Sequence, residues 1–218
     1  MSDARSGMLA AIAKANGPAK AAADILGEAQ ALVGEPDRLR MTFPGQSNLE
    51  RFIEKATSER VTATVAQIAS LADVPAEVGA YLEQSALPLR IALQPREALT
   101  TLDWGAIATH AEPAMNEPLA VSIADMAVAE TGSVVFLSAP DAPILLNFLP
   151  LHHIVLVPEG LIYGHLEDVF TFVGAGADNQ PRNLSIVTGT SGTADIEAKN
   201  IRGAHGPRFM HILIFKEG

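Results

Sequence analysis

The chain has 218 residues, 48% of them hydrophobic, with 15 basic and 25 acidic side chains and a formal net charge of −10. A sizeable core is within reach and global disorder is excluded; no cluster of Lys or Arg is present, which argues against a nucleic-acid partner, because neutralising phosphates needs concentrated positive charge. The absence of cysteine from these residues excludes a disulfide framework, a thiolate nucleophile, a zinc–thiolate centre and a Cys-ligated iron–sulfur cluster.

The first residues, Met1 to Gly7, lack the apolar core of a signal peptide, and the best apolar run, 142–157, is interrupted by Asn147, Pro150, His152 and His153. A cytoplasmic protein without a membrane span is expected. Residues 8–33 place Leu9, Ile12, Ile25, Leu26 and Val33 at helical spacing, and Gly17-Pro18 splits them into two helices. They form an N-terminal arm over residues 1–40, which either mediates homodimerisation or covers the sheet; residues 41–218 read as one domain. Residues 49–67 read as helix, turn and short strand, and 75–84 as a helix with Pro75 in its first turn. Residues 89–93 make a short strand and 95–102 a short helix or turn.

In the dense apolar region 119–138, residues 125–130 and 133–138 read as two strands joined at Thr131-Gly132, where Gly supplies the positive φ of a tight hairpin. Residues 145–149 suggest a helical turn. His153 to Val157 is a continuous apolar strand of the type buried on both faces. Residues 161–173 read as a helix and 174–183 as a polar loop. From Leu184 a strand runs into a Gly/Ser/Thr turn, and a last apolar strand covers 209–215. Strands alternating with helices indicate an α/β layer fold, and the hairpin over 125–138 makes its sheet mixed rather than purely parallel.

The residues that could carry chemistry sit on turns. Gly189-Thr-Ser-Gly-Thr193 offers backbone N–H groups, two glycines and three hydroxyls. If Ala194 opens a helix, this is a cradle for phosphate or carboxylate; equally, it is a strand-to-helix turn with Ser191 or Thr193 as N-cap. Asp195 and Glu197 could form an acid–base pair, hold magnesium or cap the turn. Glu130, just before the hairpin turn, could act as nucleophile or base, or bond turn N–H groups, and Asp125 has the same two readings. His152 and His153 are adjacent on a strand and point to opposite faces, so no metal site is expected from them. His205, in Gly203-Ala-His-Gly-Pro207, lines a pocket or braces its turn.

Four segments occur in a telling order: Ala124-Asp-Met-Ala-Val-Ala-Glu-Thr-Gly-Ser133, Pro150-Leu-His-His-Ile-Val155, Gly189-Thr-Ser-Gly-Thr-Ala-Asp-Ile-Glu197 and Gly203-Ala-His-Gly-Pro207. Together they resemble the lactate-utilisation protein C family (the LUD domain), over about residues 45–218. The resemblance implies a fold like that of the NagB/RpiA/CoA-transferase group: α/β, three layers, with a mixed, mostly parallel sheet covered by helices on both faces. It also implies membership of a three-component system, encoded by a lactate-utilisation operon, that oxidises L-lactate to pyruvate. The other two components carry the iron–sulfur clusters, and this chain is expected to hold no cofactor. The motif positions then become candidate ligand-binding residues: Thr131, Gly132, Ser133, His153, Gly189, Thr190, Ser191, Gly192, Thr193, Asp195, Glu197 and His205, with Glu130 the catalytic candidate. Thr190 stands where the family turn usually has Pro, and Gly192 where it has a polar or basic residue. Two other readings stay open: a stand-alone enzyme of CoA-transferase-like fold acting on a small acyl or phosphorylated ligand, and a small-molecule-binding module without turnover.

Overall fold

The structure, a computed structural model, describes residues 2–18, 20–34, 40–174, 180–194, 200–203 and 205–216. The chain divides into two compact units, Met1–Pro44 and Gly45–Gly218. The first contains two helices, α1 (Ser2–Asn16) and α2 (Ala22–Gly34), separated at the Gly17-Pro18 break.

The second unit opens with α3 (Asn48–Ala56). Ser47 caps it: its Oγ accepts the Glu50 N–H, and the Glu50 carboxylate accepts the Ser47 N–H. This reciprocal box satisfies two donors that the first turn leaves orphaned. Then follow β1 (Thr64–Ile68), α4 (Val74–Gln84), β2 (Arg90–Leu93), α5 (Glu97–Thr100), β3 (Ala108–His110), β4 (Leu119–Ile123), β5 (Met126–Val128), β6 (Ser133–Leu137) and β7 (His152–Pro158). The chain continues through β8 (Ile162–Tyr163), α6 (Leu166–Val173), β9 (Leu184–Val187), β10 (Gly192–Ala194), β11 (Asn200–Arg202) and β12 (Phe209–Phe215).

Six strands form one parallel sheet in the order β1-β12-β7-β4-β2-β3. A separate four-stranded sheet, β8-β5-β6-β9, contains the hairpin read from Thr131-Gly132, and β10 pairs with β11. The mixed character of the fold therefore comes from adding the second sheet to a parallel first one.

Alternation along the strands distributes the core onto two faces. On one face, Val155 and Val157 of β7 and Ile212 and Ile214 of β12 pack with Phe52 of α3 and with Val134 and Phe136 of the second sheet. On the other, Ile154, Leu156, Leu213 and Phe215 pack with Val78 and Leu82 of α4 and Leu99 of α5. β7 is buried along its whole length, as a continuous apolar run in a parallel sheet requires. Each fully buried Ile or Leu there contributes about 1.5–3 kcal/mol.

Three expectations change. Leu119–Ile123 is a strand of the parallel sheet in its own right, distinct from the hairpin. The helix expected over 161–173 begins only at Leu166, because Ile162 and Tyr163 extend to pair with β5, and the His165 N–H donates to Asp168 to start the helix. Ala194 opens no helix: Gly192–Ala194 pairs antiparallel with Asn200–Arg202.

Candidate functional site

In a parallel sheet, ligands collect past the carboxyl ends of the strands, where neighbouring connections leave on opposite faces. That divergence occurs between β2 and β4. The segment after β2 enters α5, whose Leu99 packs on one face, whereas the segment after β4 enters the second sheet on the other. The resulting crevice has a volume of about 820 Å³. Its walls are apolar, from Leu71, Ile123, Leu161, Phe172 and Phe215, and its polar groups are Ser70, Arg96, Asp125 and Lys216.

Arg96 and Asp125 form the ordered element of this site. Arg96 Nη2 donates to Asp125 Oδ1 at 2.6 Å, and Arg96 Nε lies 3.8 Å from Asp141 Oδ2. The other Asp125 oxygen accepts the Leu137 N–H at 2.6 Å, and the Asp125 N–H donates to Val135 O. Asp125 is thus clamped from both ends to β6 and holds the guanidinium in one orientation. The side chains of both partners are less than a quarter exposed, at 21% and 16%, so the pair is shielded from the screening that weakens surface ion pairs. Ser70 is engaged by Asp73, which accepts both its N–H and its hydroxyl.

Of these groups, only Asp125 was singled out in the sequence, and with two readings. A shared local signal exists nonetheless: three apolar strands run directly into a charged residue, in Leu93-Gln-Pro-Arg96, Ile123-Ala-Asp125 and Phe215-Lys216.

The residues picked out by motif lie elsewhere. The Gly189 turn packs at the amino ends of β1 and β12. The Thr190 N–H donates to Val61 O at 3.1 Å, the Ser191 N–H to Pro207 O at 2.9 Å, and the Thr190 hydroxyl meets that of Thr62 at 2.5 Å. The Thr190 and Ser191 N–H groups and the Thr190 hydroxyl, among the donors expected to cradle an anion, are therefore used by the protein itself. Gly189, at φ +76°, is demanded by backbone approach: a Cβ there would fall 1.9 Å from Val61 O. With Gly192–Ala194 forming a strand, no helix among the described residues starts at the turn to direct its dipole there. Thr193 lies in β10, and Asp195 and Glu197 lie outside the described residues.

The hairpin turn is likewise tied inward. The hydroxyls of Thr131, Ser133 and Thr188 form a chain with both contacts at 2.7 Å, and Gly132, at φ +70°, backs onto Ala56, whose N would lie 2.6 Å from a Cβ. His153 is fully buried between the two sheets, with Nε2 2.7 Å from Ser122 Oγ and its ring stacked on Phe136. Burial pushes its pKa down from 6.5 to about 3, so it is a neutral core residue. His152 faces the opposite side, 2.9 Å from the Tyr81 hydroxyl, and burial followed by the charge of Arg208 lowers its pKa. His205 is exposed and, with Phe148 and Gly203, lines a second depression of about 580 Å³ at the amino edge.

Glu130 closes the link from β5 to α6. Its Oε1 accepts the Leu166 N–H at 2.8 Å and its Oε2 lies 3.0 Å from His165 Nδ1. A carboxylate at a helix start is stabilised by the unpaired N–H groups there. Ligand-type atoms of Glu130, His165 and Glu167 lie within 4.8 Å of one another, a set whose donor types suit a divalent cation. In the geometry present, both Glu130 oxygens serve the helix start.

Residues 97–215 match the family described as the LUD domain. Lactate utilization protein C of Bacillus licheniformis is 30% identical over 118 residues, covering 52% of this chain and 49% of that protein. Lactate utilization protein C of Halalkalibacterium halodurans is 28% identical over 99 residues, covering 44% and 43%. The chain thus spans about half the length of the curated relatives it matches. A crystal structure of a DUF162 family protein from Deinococcus radiodurans superposes with a TM-score of 0.56 at 18% identity, covering 77% of this chain and 96% of that one, and shares its fold. The parallel sheet, its second sheet and the match over more than half of the sequence converge: the chain belongs to the LUD-domain family.

Proposed function

We propose that this protein serves lactate utilisation in the cytoplasm as a component without a redox centre of its own, alongside two iron–sulfur proteins that together oxidise L-lactate to pyruvate. The observation that carries the reading is the LUD-domain match, whose relatives bear the name lactate utilization protein C. The chemistry of the chain supports this division of labour. Converting lactate to pyruvate removes two electrons and two protons, and the electrons need an acceptor. Arg96, Asp125, Ser70 and Lys216 can bind and orient a carboxylate or move a proton, but none accepts electrons. With no cysteine in these residues, Cys-ligated clusters belong on partners.

The test is lactate-dependent pyruvate formation in extracts of cells lacking this gene, with and without the purified protein added back. Restoration of the rate on addition is expected, and affinity capture from the same cells should recover two Cys-rich iron–sulfur proteins. A rate that is the same in the deleted and the complemented extracts would overturn the proposal.

A further inference from the structure

We infer that the carboxyl-edge crevice is a binding site for a monocarboxylate with an apolar body larger than that of lactate: its acid group meets Arg96 and Lys216, and its body lies along Leu161, Phe172 and Phe215. The inference concerns the crevice alone and does not depend on the lactate-oxidation proposal.

Arg96 supplies the head-group recognition. Asp125 takes one N–H of the guanidinium, at 2.6 Å, and among the described residues no other hydrogen bond reaches that group. The guanidinium retains N–H donors for a second carboxylate, a charge-assisted bond. Asp125 is a positioning residue: anchored by the Leu137 N–H on one side, it fixes the direction of the guanidinium on the other. Lys216, exposed at the end of β12, brings a second positive charge to the same rim.

The charges set the valence of the ligand. Arg96 is flanked by two carboxylates, Asp125 at 2.6 Å from Nη2 and Asp141 at 3.8 Å from Nε. A singly charged head adds one negative charge beside these carboxylates. A phosphate dianion adds two and meets both aspartates, which like-charge repulsion disfavours. The size of the crevice sets the body. At about 820 Å³ it falls in the range of about 300–1,000 Å³ used for ligands of drug or cofactor size, and so has room for a body well beyond three carbons. The exposed ring of Phe172, 53% accessible, and the apolar wall at Leu161 and Phe215 are surfaces that such a body would take out of water.

The experiment is isothermal titration calorimetry of the full chain with octanoate, L-lactate and inorganic phosphate in turn. Octanoate should bind at least tenfold more tightly than lactate, and phosphate should give no measurable heat. Arg96→Ala should weaken octanoate at least tenfold. Phe172→Ala and Lys216→Ala, both at exposed positions that leave the fold intact, should weaken it about three- to tenfold each. Absence of octanoate binding, or binding equally tight in Phe172→Ala and Lys216→Ala, overturns the site. Phosphate binding as tight as octanoate overturns the monoanion assignment. These outcomes are read without any lactate-oxidation assay, so they stand or fall separately from the proposed function.

Discussion

Replacing Gly189 by Ala tests whether the glycine-rich turn is built for a ligand or for the fold. The substitution adds one methyl group at φ +76°, where an L-residue costs about 1–2 kcal/mol. The new Cβ would lie 1.9 Å from Val61 O and 2.6 Å from Val61 C, and because these are backbone atoms no rotamer change relieves the overlap. The turn must lift from residues 61–62, which breaks the 3.1 Å bond from the Thr190 N–H to Val61 O and the hydroxyl pair of Thr62 and Thr190. Each lost bond adds about 0.5–1.5 kcal/mol, for a total of about 2–5 kcal/mol. Gly105→Ala is the control: φ is +54° but nothing lies within 4 Å of the added carbon, so only the conformational cost of about 1–2 kcal/mol remains. For a chain of this size each 1 kcal/mol moves the melting temperature by about 2–4 °C. Calorimetric melting of the two variants should therefore separate them by several degrees, with Gly189→Ala the lower. Equal melting temperatures would refute the packing account, and a Gly189→Ala protein of normal stability would return the turn to the list of ligand-binding candidates.

Other consequences are as direct. His153 titrates near 6.5 when unfolded but only at about 3 when folded, so as pH falls below 6.5 the unfolded chain takes up a proton that the native state refuses; this stability is complete above pH 6.5 and declines towards pH 3. At pH 5 the loss is about 2 kcal/mol; urea unfolding at pH 7.5 and 5 should show His153→Phe losing correspondingly less than the parent, and parallel losses would contradict the argument. Glu130→Ala removes the acceptor of the Leu166 N–H and the partner of His165, at a cost of about 1–2 kcal/mol, whereas Glu130→Gln keeps one acceptor and should lose about half as much. Hydrogen exchange should report faster exchange of the Leu166 amide in the Ala variant, and unaltered exchange there would count against the helix-start role. Ser47→Ala dismantles the capping box of α3 and should cost about 1 kcal/mol by urea denaturation, with no change expected in ligand titrations; an unchanged midpoint would refute it.

The layered fold was legible because its signals are local or periodic. The Gly17-Pro18 break, the Pro-led helix at 75–84, the hairpin at Thr131-Gly132 and the buried run His153–Val157 all appear where their residue types direct. Leu119–Ile123 was harder to separate, because it is joined to β5 by only Ala124 and Asp125 and the whole stretch reads as one apolar region. The split at Leu166 depended on pairing between β8 and β5, a contact set by tertiary structure and not by the helical spacing of 161–173. The crevice was the least legible part. Arg96, Asp125 and Lys216 are far apart in the chain and share no motif; only strand order β12-β7-β4-β2 carries their parent strands to one edge.

The two edges of the parallel sheet offer different surroundings to a ligand. At the amino edge, the Gly189 turn and the residues before β1 and β12 bond one another, and the hairpin at Gly132 backs onto α3. Substitution there is expected to be felt first as lost stability, and any loss of activity at those positions carries that confound. At the carboxyl edge, Arg96 and Lys216 present charge to open volume, and Phe172 is exposed. Lys216 and Phe172 are exposed and contribute little to folding, so their replacement should separate binding from stability, whereas Arg96 is shielded and paired with Asp125. A glycine can be required in a turn because a carbonyl passes behind it, and a ligand-facing arginine can sit in a stretch with no motif at all. For this chain the physical criterion that tells them apart is whether the polar groups are already satisfied by the protein: the N–H groups of Thr190 and Ser191 and the Thr190 hydroxyl are, and the guanidinium of Arg96 still has donors to give.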